Sequence, residues 1–409
     1  MRKILIVGAG QAGLMLALSL QDASYDVTVM SAQTPENLRN GRVMSTQYMF
    51  GPALALERER GLDLWKDRAP QAVGQRMTLA DPPGQVALSF IGMWERYAQS
   101  VDQRIKMADW LELFEERGGN VIYHPVTTSD LEGLTALYEL TLIAAGKGEL
   151  VELFDRDAAR SPFTVPQRML SCIYLHGVSP RPDFPDTHVR INVSPGVGEL
   201  FMMPGLTRTG PCTILLWEAV PGGPYDRWAD RPSSPAEHLD RTLQLLREYL
   251  PWEHERTIGA EPTDGRCVLY GGYTPVVRHP IGRLSDTALV LGMGDVVVTN
   301  DPVSGQGANN AAHCAAVYEH AILQHGDRPF DAAWMQGTFG AYWDYARHAT
   351  DYTNMTLGEL PEHVQQILGA AAQHQQVADR FAAGTAYPPS FADWLTDPDK
   401  TATYLATIK

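Results

Sequence analysis

Residues 4–7, Ile4-Leu5-Ile6-Val7, form an unbroken apolar run of the length and type expected for a buried strand. Gly8-Ala9-Gly10-Gln11-Ala12-Gly13 follows at once, then Leu14-Met15-Leu16-Ala17-Leu18-Ser19-Leu20, which favours helix. The pattern therefore predicts strand, glycine turn and helix, and Asp26-Val27-Thr28-Val29-Met30 continues it as a βαβ unit. The same order returns near residue 290. Ala288-Leu289-Val290-Leu291-Gly292-Met293-Gly294-Asp295 reads as a strand ending in an acid, and a Gly-rich turn through Asn310 opens a helix over 311–323. Between these units, 169–175, 188–193, 199–203 and 213–217 read as strands punctuated by Pro and Gly, predicting an antiparallel sheet. A helix over 235–250, with Leu239, Leu243, Leu245, Leu246 and Leu250, is expected to cover that sheet. After Leu323 the chain turns helical again, carrying Trp334, Phe339, Tyr342, Trp343 and Tyr345 and then Val364, Ile367, Leu368 and Val377. These helices are expected to cap the first unit, with an oligomer or partner contact as the other use of the aromatic cluster. There is no internal repeat and no segment biased enough to be disordered.

Composition narrows the function classes. At about 150 residues per domain, 409 residues make two to three domains, too much for a single small binding module. Lys and Arg number 33 against 48 Asp and Glu, a net charge of −15 with no basic cluster, so nucleic acid and anionic membrane surfaces are poor partners. Cys172, Cys212, Cys267 and Cys314 lie far apart without C-x-x-C, and the 12 His show no ligand spacing, so neither a metal site nor a disulfide framework is expected. There is no G-x-S-x-G of a hydrolase. The apolar start breaks at Gly8 without a cleavage site, and no run is long enough to span a bilayer, so a soluble cytoplasmic protein with reduced thiols is expected.

The glycines carry the first chemistry. In strand–turn–helix context, Gly8 permits the tight turn, Gly10 lets the backbone approach a pyrophosphate, and Gly13 lets the helix pack on the strand, with Gln11 and Ala12 at the helix start. The carboxylate expected after the second strand to hold a ribose is replaced by Met30-Ser31-Ala32-Gln33. Ser31 or Gln33 is a neutral substitute, so a weakly held, exchangeable dinucleotide is expected. Asp295 is placed to accept from a sugar-like hydroxyl after Gly294. Gly305, Gly307, Ala308 and Asn309 open a helix whose free N–H groups suit a ring edge or a phosphate.

Together, the G-x-G-x-x-G start and the Gly-Asp…Pro-x-x-Gly-x-Gly-x-Asn segment resemble the flavoprotein monooxygenases related to p-hydroxybenzoate hydroxylase. Through Gly41-Arg42-Val43-Met44-Ser45-Thr46 and Asp301-Pro302-Val303-Ser304-Gly305-Gln306-Gly307-Ala308-Asn309, the resemblance narrows to two-component styrene and indole monooxygenases, nearly end to end. It implies an α/β fold: a discontinuous Rossmann-like FAD-binding domain (1–75, 98–165, 283–330), an antiparallel β-sheet substrate domain (76–97, 166–282) and C-terminal helices (331–409). It also implies that FAD arrives as diffusible FADH2 from a separate NADH-dependent flavin reductase. Consistent with this, no second G-x-G-x-x-G follows a strand, and Lys147 stands near where single-component hydroxylases carry an Asp-Gly pair tied to FAD and NADPH.

In such enzymes reduced flavin and O2 form a C4a-hydroperoxide whose distal oxygen attacks an electron-rich double bond, so the protein supplies a dry, shaped, largely neutral site. The resemblance places 42–49 over the flavin, with Ser45, Thr46, Gln47, Met49, Pro302 and Gly305 as site residues and Arg42 and Arg104 near the flavin or its phosphates. Ser45-x-Gln47-x-Met49 and Ala98 look like the indole-preferring branch, whereas Ala72 and Gln75 match neither pattern. Gln47 is able to accept from an indole N–H, which styrene lacks, and Met49 offers a polarizable wall. Phe201, Trp217 and Tyr273 are further cavity candidates, with plain core as their other reading. The expected activity is epoxidation of indole to indoxyl and then indigo, with styrene epoxidation as the alternative substrate reading. A self-sufficient NAD(P)H-dependent hydroxylase and a non-enzymatic flavin-binding module stay open, as does a homodimer.

Overall fold

The computed structural model describes residues 2–184, 187–285 and 288–408. Its first layer is a six-stranded sheet in the order Ile281–Arg283, Leu289–Gly292, Leu140–Ile143, Lys3–Val7, Asp26–Ser31, Asn120–Tyr123. All neighbours run parallel except the first pair. The central strands read as continuous apolar runs because both faces are covered: residues 4–7 and 140–143 are all buried. The helix Gln11–Asp22 is buried from Gln11 to Leu20, wedged between the sheet and the helix Gly307–His325, so its sequence is apolar almost all round rather than striped.

The second layer is a nine-stranded sheet, antiparallel except where Ala72–Ala80 runs alongside Val189–Ser194. The four strands expected there form Met169–His176, Val189–Ser194, Gly198–Thr207 and Gly210–Ala219. The helix Pro235–Tyr249 covers them, started by Ser234, whose Oγ accepts from Glu237 N, and held by buried Leu239, Leu245 and Leu246, while Leu243 is half-buried.

Three expectations change. The boundaries at 75/76 and 97/98 fall inside the continuous strands Ala72–Ala80 and Val86–Ser100, because the second strand runs on to pair with Tyr48–Met49 and ties the loop before it to the large sheet. The antiparallel edge strand Ile281–Arg283 joins the parallel sheet just before the expected boundary at 283. Of the C-terminal helices, Ala332–Thr356 packs into the core of the first unit, through Met335, Phe339 and Tyr342. Glu362–Ala371 and Gln375–Ala386 form a separate core with Phe90, Phe391 and Trp394 on the strand Val86–Ser100. Gly92 allows that approach: a Cβ there would lie 2.3 Å from the Ala378 carbonyl oxygen. No helix among the described residues is long and apolar enough to cross a membrane.

Candidate active site

A cavity of ≈ 960 Å³ opens between the two sheets. One end lies over the carboxyl ends of the parallel strands, the usual ligand position in such sheets. Gly8 has φ +118°, and a Cβ there would meet the Ala144 carbonyl carbon at 2.7 Å. A Cβ on Gly13 would meet Gly8 O at 2.3 Å, so helix, turn and neighbouring strand close only without side chains. Around Gly10 there is open space, and the helix it begins has no side-chain cap and no acid in its first turn. Its free N–H groups face the cavity and suit an anion. Ser31 and Gln33 line the same end. Ser31 Oγ already donates to Gln33 O at 2.6 Å and accepts from Gln33 N at 3.2 Å, so a ribose would compete with a local turn.

At the other end the large sheet supplies an apolar wall. Leu216 and Leu269 flank Cys172 in register on the neighbouring strands, and all three line the cavity with Leu170. Opposite lie Ser45, Thr46, Gln47 and Tyr48, together with Pro302, Gly305, Gly307 and Ala308. Gly305 holds φ +67° to end the short helix Pro302–Ser304. Among the described residues Gln47 is one of three non-glycine residues at positive φ, +38°, a strained geometry concentrated at functional sites.

The network around Gln47 fixes its amide. Its Nε2 donates to Tyr174 OH at 2.7 Å and to Ser100 Oγ at 3.1 Å. Tyr174 OH in turn donates to Ser45 O at 2.6 Å and Ser100 Oγ to Thr46 O at 2.7 Å, so both hydroxyl protons are committed and both oxygens must accept from Gln47. The Gln47 carbonyl oxygen is left with one long 3.5 Å contact from Ser45 Oγ. Burial raises the Tyr174 hydroxyl well above its ordinary pKa and keeps it neutral. Sequence reasoning missed Tyr174 and Ser100, because nothing in a strand sequence shows which loop its outward face will hold.

Asp295 lines the cavity near Lys147, which sits 5.3 Å from the Tyr273 ring centroid. The carboxylate is open to the cavity but surrounded by protein. The protein packed around it pushes it up to about 6, against the pull of Lys147 and Arg278. Two further polar atoms, Tyr48 OH and Asn300 Nδ2, belong to cavity-lining residues and are buried without a hydrogen-bond partner among the described residues. Uncapped helix starts, a glycine cradle and a hydroxyl acceptor beside an apolar wall fit a dinucleotide carrying a polar-edged ring.

Several expected site residues lie elsewhere. Arg104 is fully buried, bound to Asp102, Asp264 and Thr207 rather than facing the cavity, because Asp102 is itself fully buried and needs a cation. Met49 is no cavity wall: its Sδ lies 3.0 Å from Lys106 Nζ, behind the loop, where Lys106 also pairs with Glu57. Asn309 is spent on stitching, its Nδ2 donating to Tyr48 O and Gly305 O and its Oδ1 accepting from Phe50 N. Arg42 is exposed and outside the cavity wall. Gly13 and Gly294 act by packing, Gly294 at φ +59° against the Ala12 Cβ. Of the aromatic candidates Tyr273 lines the cavity, whereas Trp217 packs on Tyr225 and Trp228, and Phe201 lies against the core of the large sheet.

Comparison with known proteins agrees with this geometry. Residues 146–256, which supply most of the sheet wall, match the family described as "Styrene monooxygenase A putative substrate binding domain". Styrene monooxygenase StyA from Pseudomonas fluorescens is 32% identical over 409 residues, covering 98% of this chain and 96% of the relative. A second StyA, from a Pseudomonas species, is 31% identical over the same shares. In fold the chain is similar to the flavin-dependent brominase Bmp2 (TM-score 0.70, 14% identity, 98% of each chain). It is also similar to p-nitrophenol 4-monooxygenase PnpA from Pseudomonas putida DLL-E4 (TM-score 0.63, 13% identity, 95% of this chain and 98% of that one). The glycine cradle, the apolar sheet wall and the full-length similarity converge: this chain belongs to the StyA styrene monooxygenase family, flavin-dependent monooxygenases of the p-hydroxybenzoate hydroxylase fold.

Proposed function

We propose that this protein is the oxygenase component of a two-component epoxidase that takes reduced FAD from a separate NADH-dependent reductase and oxidises indole. Reduced FAD and O2 supply an electrophilic oxygen and two electrons; one oxygen atom adds across the indole double bond, and the other leaves as water. The chain's part is to bind, orient and exclude solvent. Residues 8–12 would cradle the phosphates, Asp295 would accept from a chain hydroxyl, the free N–H groups of Gly307 and Ala308 at an uncapped helix start would meet the ring edge, and the Leu170, Cys172, Leu216 and Leu269 face presses an apolar substrate forward. Neutral Ser31 in place of a ribose carboxylate and Lys147 in place of the hydroxylases' acid support a flavin that is delivered and released.

The single observation that carries the substrate reading is the locked Gln47 amide. Its donors are used, so what this cavity-lining amide has left to offer is an acceptor, the complement of an indole N–H. An acceptor buried without a donor costs about 1–3 kcal/mol, so a substrate lacking the N–H is disfavoured unless water follows it in. Styrene is the second reading, favoured by the names of the curated relatives and by the apolar wall. The test is aerobic turnover of indole and styrene in parallel, with FAD, NADH and a flavin reductase, each component omitted in turn. Indigo formation outpacing styrene oxide, only with the reductase present, is the expected result. Faster styrene epoxidation overturns the indole assignment, and bleaching of bound flavin by NAD(P)H alone overturns the two-component one.

A further inference from the structure

Beneath the ring end of the cavity lies a buried charge cluster that this chemistry does not use. Strand register sets Glu199 directly opposite Glu218, and Glu218 opposite Leu170, which lines the cavity; Glu218 is therefore on the cavity side of the sheet. Asp301, at the start of the short helix Pro302–Ser304, meets Glu218 there. Glu199, Glu218, Asp301 and Arg168 are 7%, 0%, 1% and 7% exposed. Three carboxyls thus share one cation. Arg168 gives Nε and Nη2 to the two oxygens of Glu199, at 2.8 and 3.0 Å, and Nη1 to the backbone carbonyls of Gln167 and Leu357; four of its five N–H groups are spent this way and none is bonded to the other two carboxyls.

What remains is a pair of carboxyls without a cation. Asp301 Oδ1 accepts from Val303 N at 3.1 Å, but Asp301 Oδ2 and both Glu218 oxygens have no donor among the described residues. Two ionised carboxylates do not stay in contact away from water, whereas one proton between them turns repulsion into a short, charge-assisted hydrogen bond. Burial raises both groups above their ordinary range. Asp301 keeps the Val303 N–H, a donor that favours its ionised form, whereas neither Glu218 oxygen has one, so the proton belongs on Glu218. The other charged groups facing the pair are Arg168 and Glu199.

We propose that Glu218 stays protonated at neutral pH and donates to Asp301, and that this bond is a positioning device that holds residues 301–305 against the reacting end of the cavity. The inference rests on the reading of Pro302 and Gly305 as flavin contacts. When alkali removes the proton, the two carboxylates repel, the segment loosens, and flavin binding weakens with it.

The experiment uses the full-length protein in three readouts. Infrared spectra of the ligand-free protein at pH 7 are expected to show the C=O stretch of a protonated carboxylic acid, lost in Glu218→Gln. Hydrogen exchange is expected to show protection of the 303–305 amides, relative to the strand Leu289–Gly292, falling at alkaline pH in the wild type but not in Glu218→Gln, whose amide donates without titrating. FAD affinity of the wild type is expected to fall by up to about tenfold per pH unit above the titration point, with Glu218→Gln flat. Absence of the acid band, or a parallel alkaline loss in Glu218→Gln, overturns the proposal. Should Glu218→Gln fail to fold, Asp301→Asn replaces it and the wild-type band decides. A protein that shows band and protection but binds no FAD at any pH overturns the flavin reading, not the shared proton.

Discussion

Gln47 shows how much of this site is decided by single residues. Its left-handed backbone turns the side chain back among Tyr174 and Ser100, and those two hydroxyls dictate which end of the amide remains available. Gln47→Leu, close in size, is expected to lower kcat/KM for indole by about 10- to 100-fold while styrene epoxidation changes far less, because one acceptor for an N–H is lost. Parallel steady-state assays check this, and equal losses on both substrates would assign Gln47 a purely structural role. Arg104 makes the opposite case. A fully buried guanidinium paired with fully buried Asp102 is a structural commitment, and Arg104→Met, which strands the carboxylate, is expected to destabilise the fold by about 3–5 kcal/mol. Denaturant unfolding measures that loss, and FAD affinity of the folded variant is expected to stay at the wild-type value.

At the scale of elements, the helix Pro235–Tyr249 earns its place through one polar contact as well as its leucines. His238 is buried against Trp228, with Nε2 2.8 Å from Ser171 Oγ on the strand below. Burial lowers its pKa from 6.5 to about 4, with Arg241 adding to the effect. The folded state therefore refuses a proton that the unfolded chain accepts. Stability is complete above pH 6.5 and is lost as pH falls from there through about 4, by up to about 3 kcal/mol. Urea unfolding between pH 4 and 7 is expected to show this slope, and His238→Gln to flatten it over the same range. A variant with an unchanged slope would place the acid sensitivity elsewhere.

For the whole molecule, the cavity exists because two sheets are tied together by segments that belong to both. The strand Val86–Ser100 and the two-residue strand Tyr48–Met49 link the large sheet to the cavity-lining loop before Tyr48, and Asn309 fastens that segment to the helix Gly307–His325. Flavin bound between the sheets is expected to raise the melting temperature in proportion to the logarithm of its concentration. Ser31→Glu, restoring a charged acceptor for the ribose, is expected to tighten FAD by about tenfold. Titration by flavin fluorescence checks it; unchanged affinity would show that the Ser31–Gln33 turn, rather than the missing charge, limits binding at that end.

The sequence by itself determined the parallel sheet and its glycine cradle, since an apolar run, three spaced glycines and a helix former are all local signals, and Gly8 and Gly13 tolerate no other residue there. It also determined the strand, turn and helix near residue 290, the four central strands of the large sheet and the family. What only the tertiary structure decided were the partners: that Arg104 answers Asp102, that Met49 lies behind the loop, that Asn309 is a stitch, and that Tyr174 and Ser100 orient Gln47. These are contacts between residues some 50 to 260 positions apart, except for the local Arg104–Asp102 pair, whose burial is itself a tertiary outcome. Periodicity reports which face of an element is apolar; which polar group meets which across a packed core depends on how the sheets are set against each other, and no local pattern encodes that.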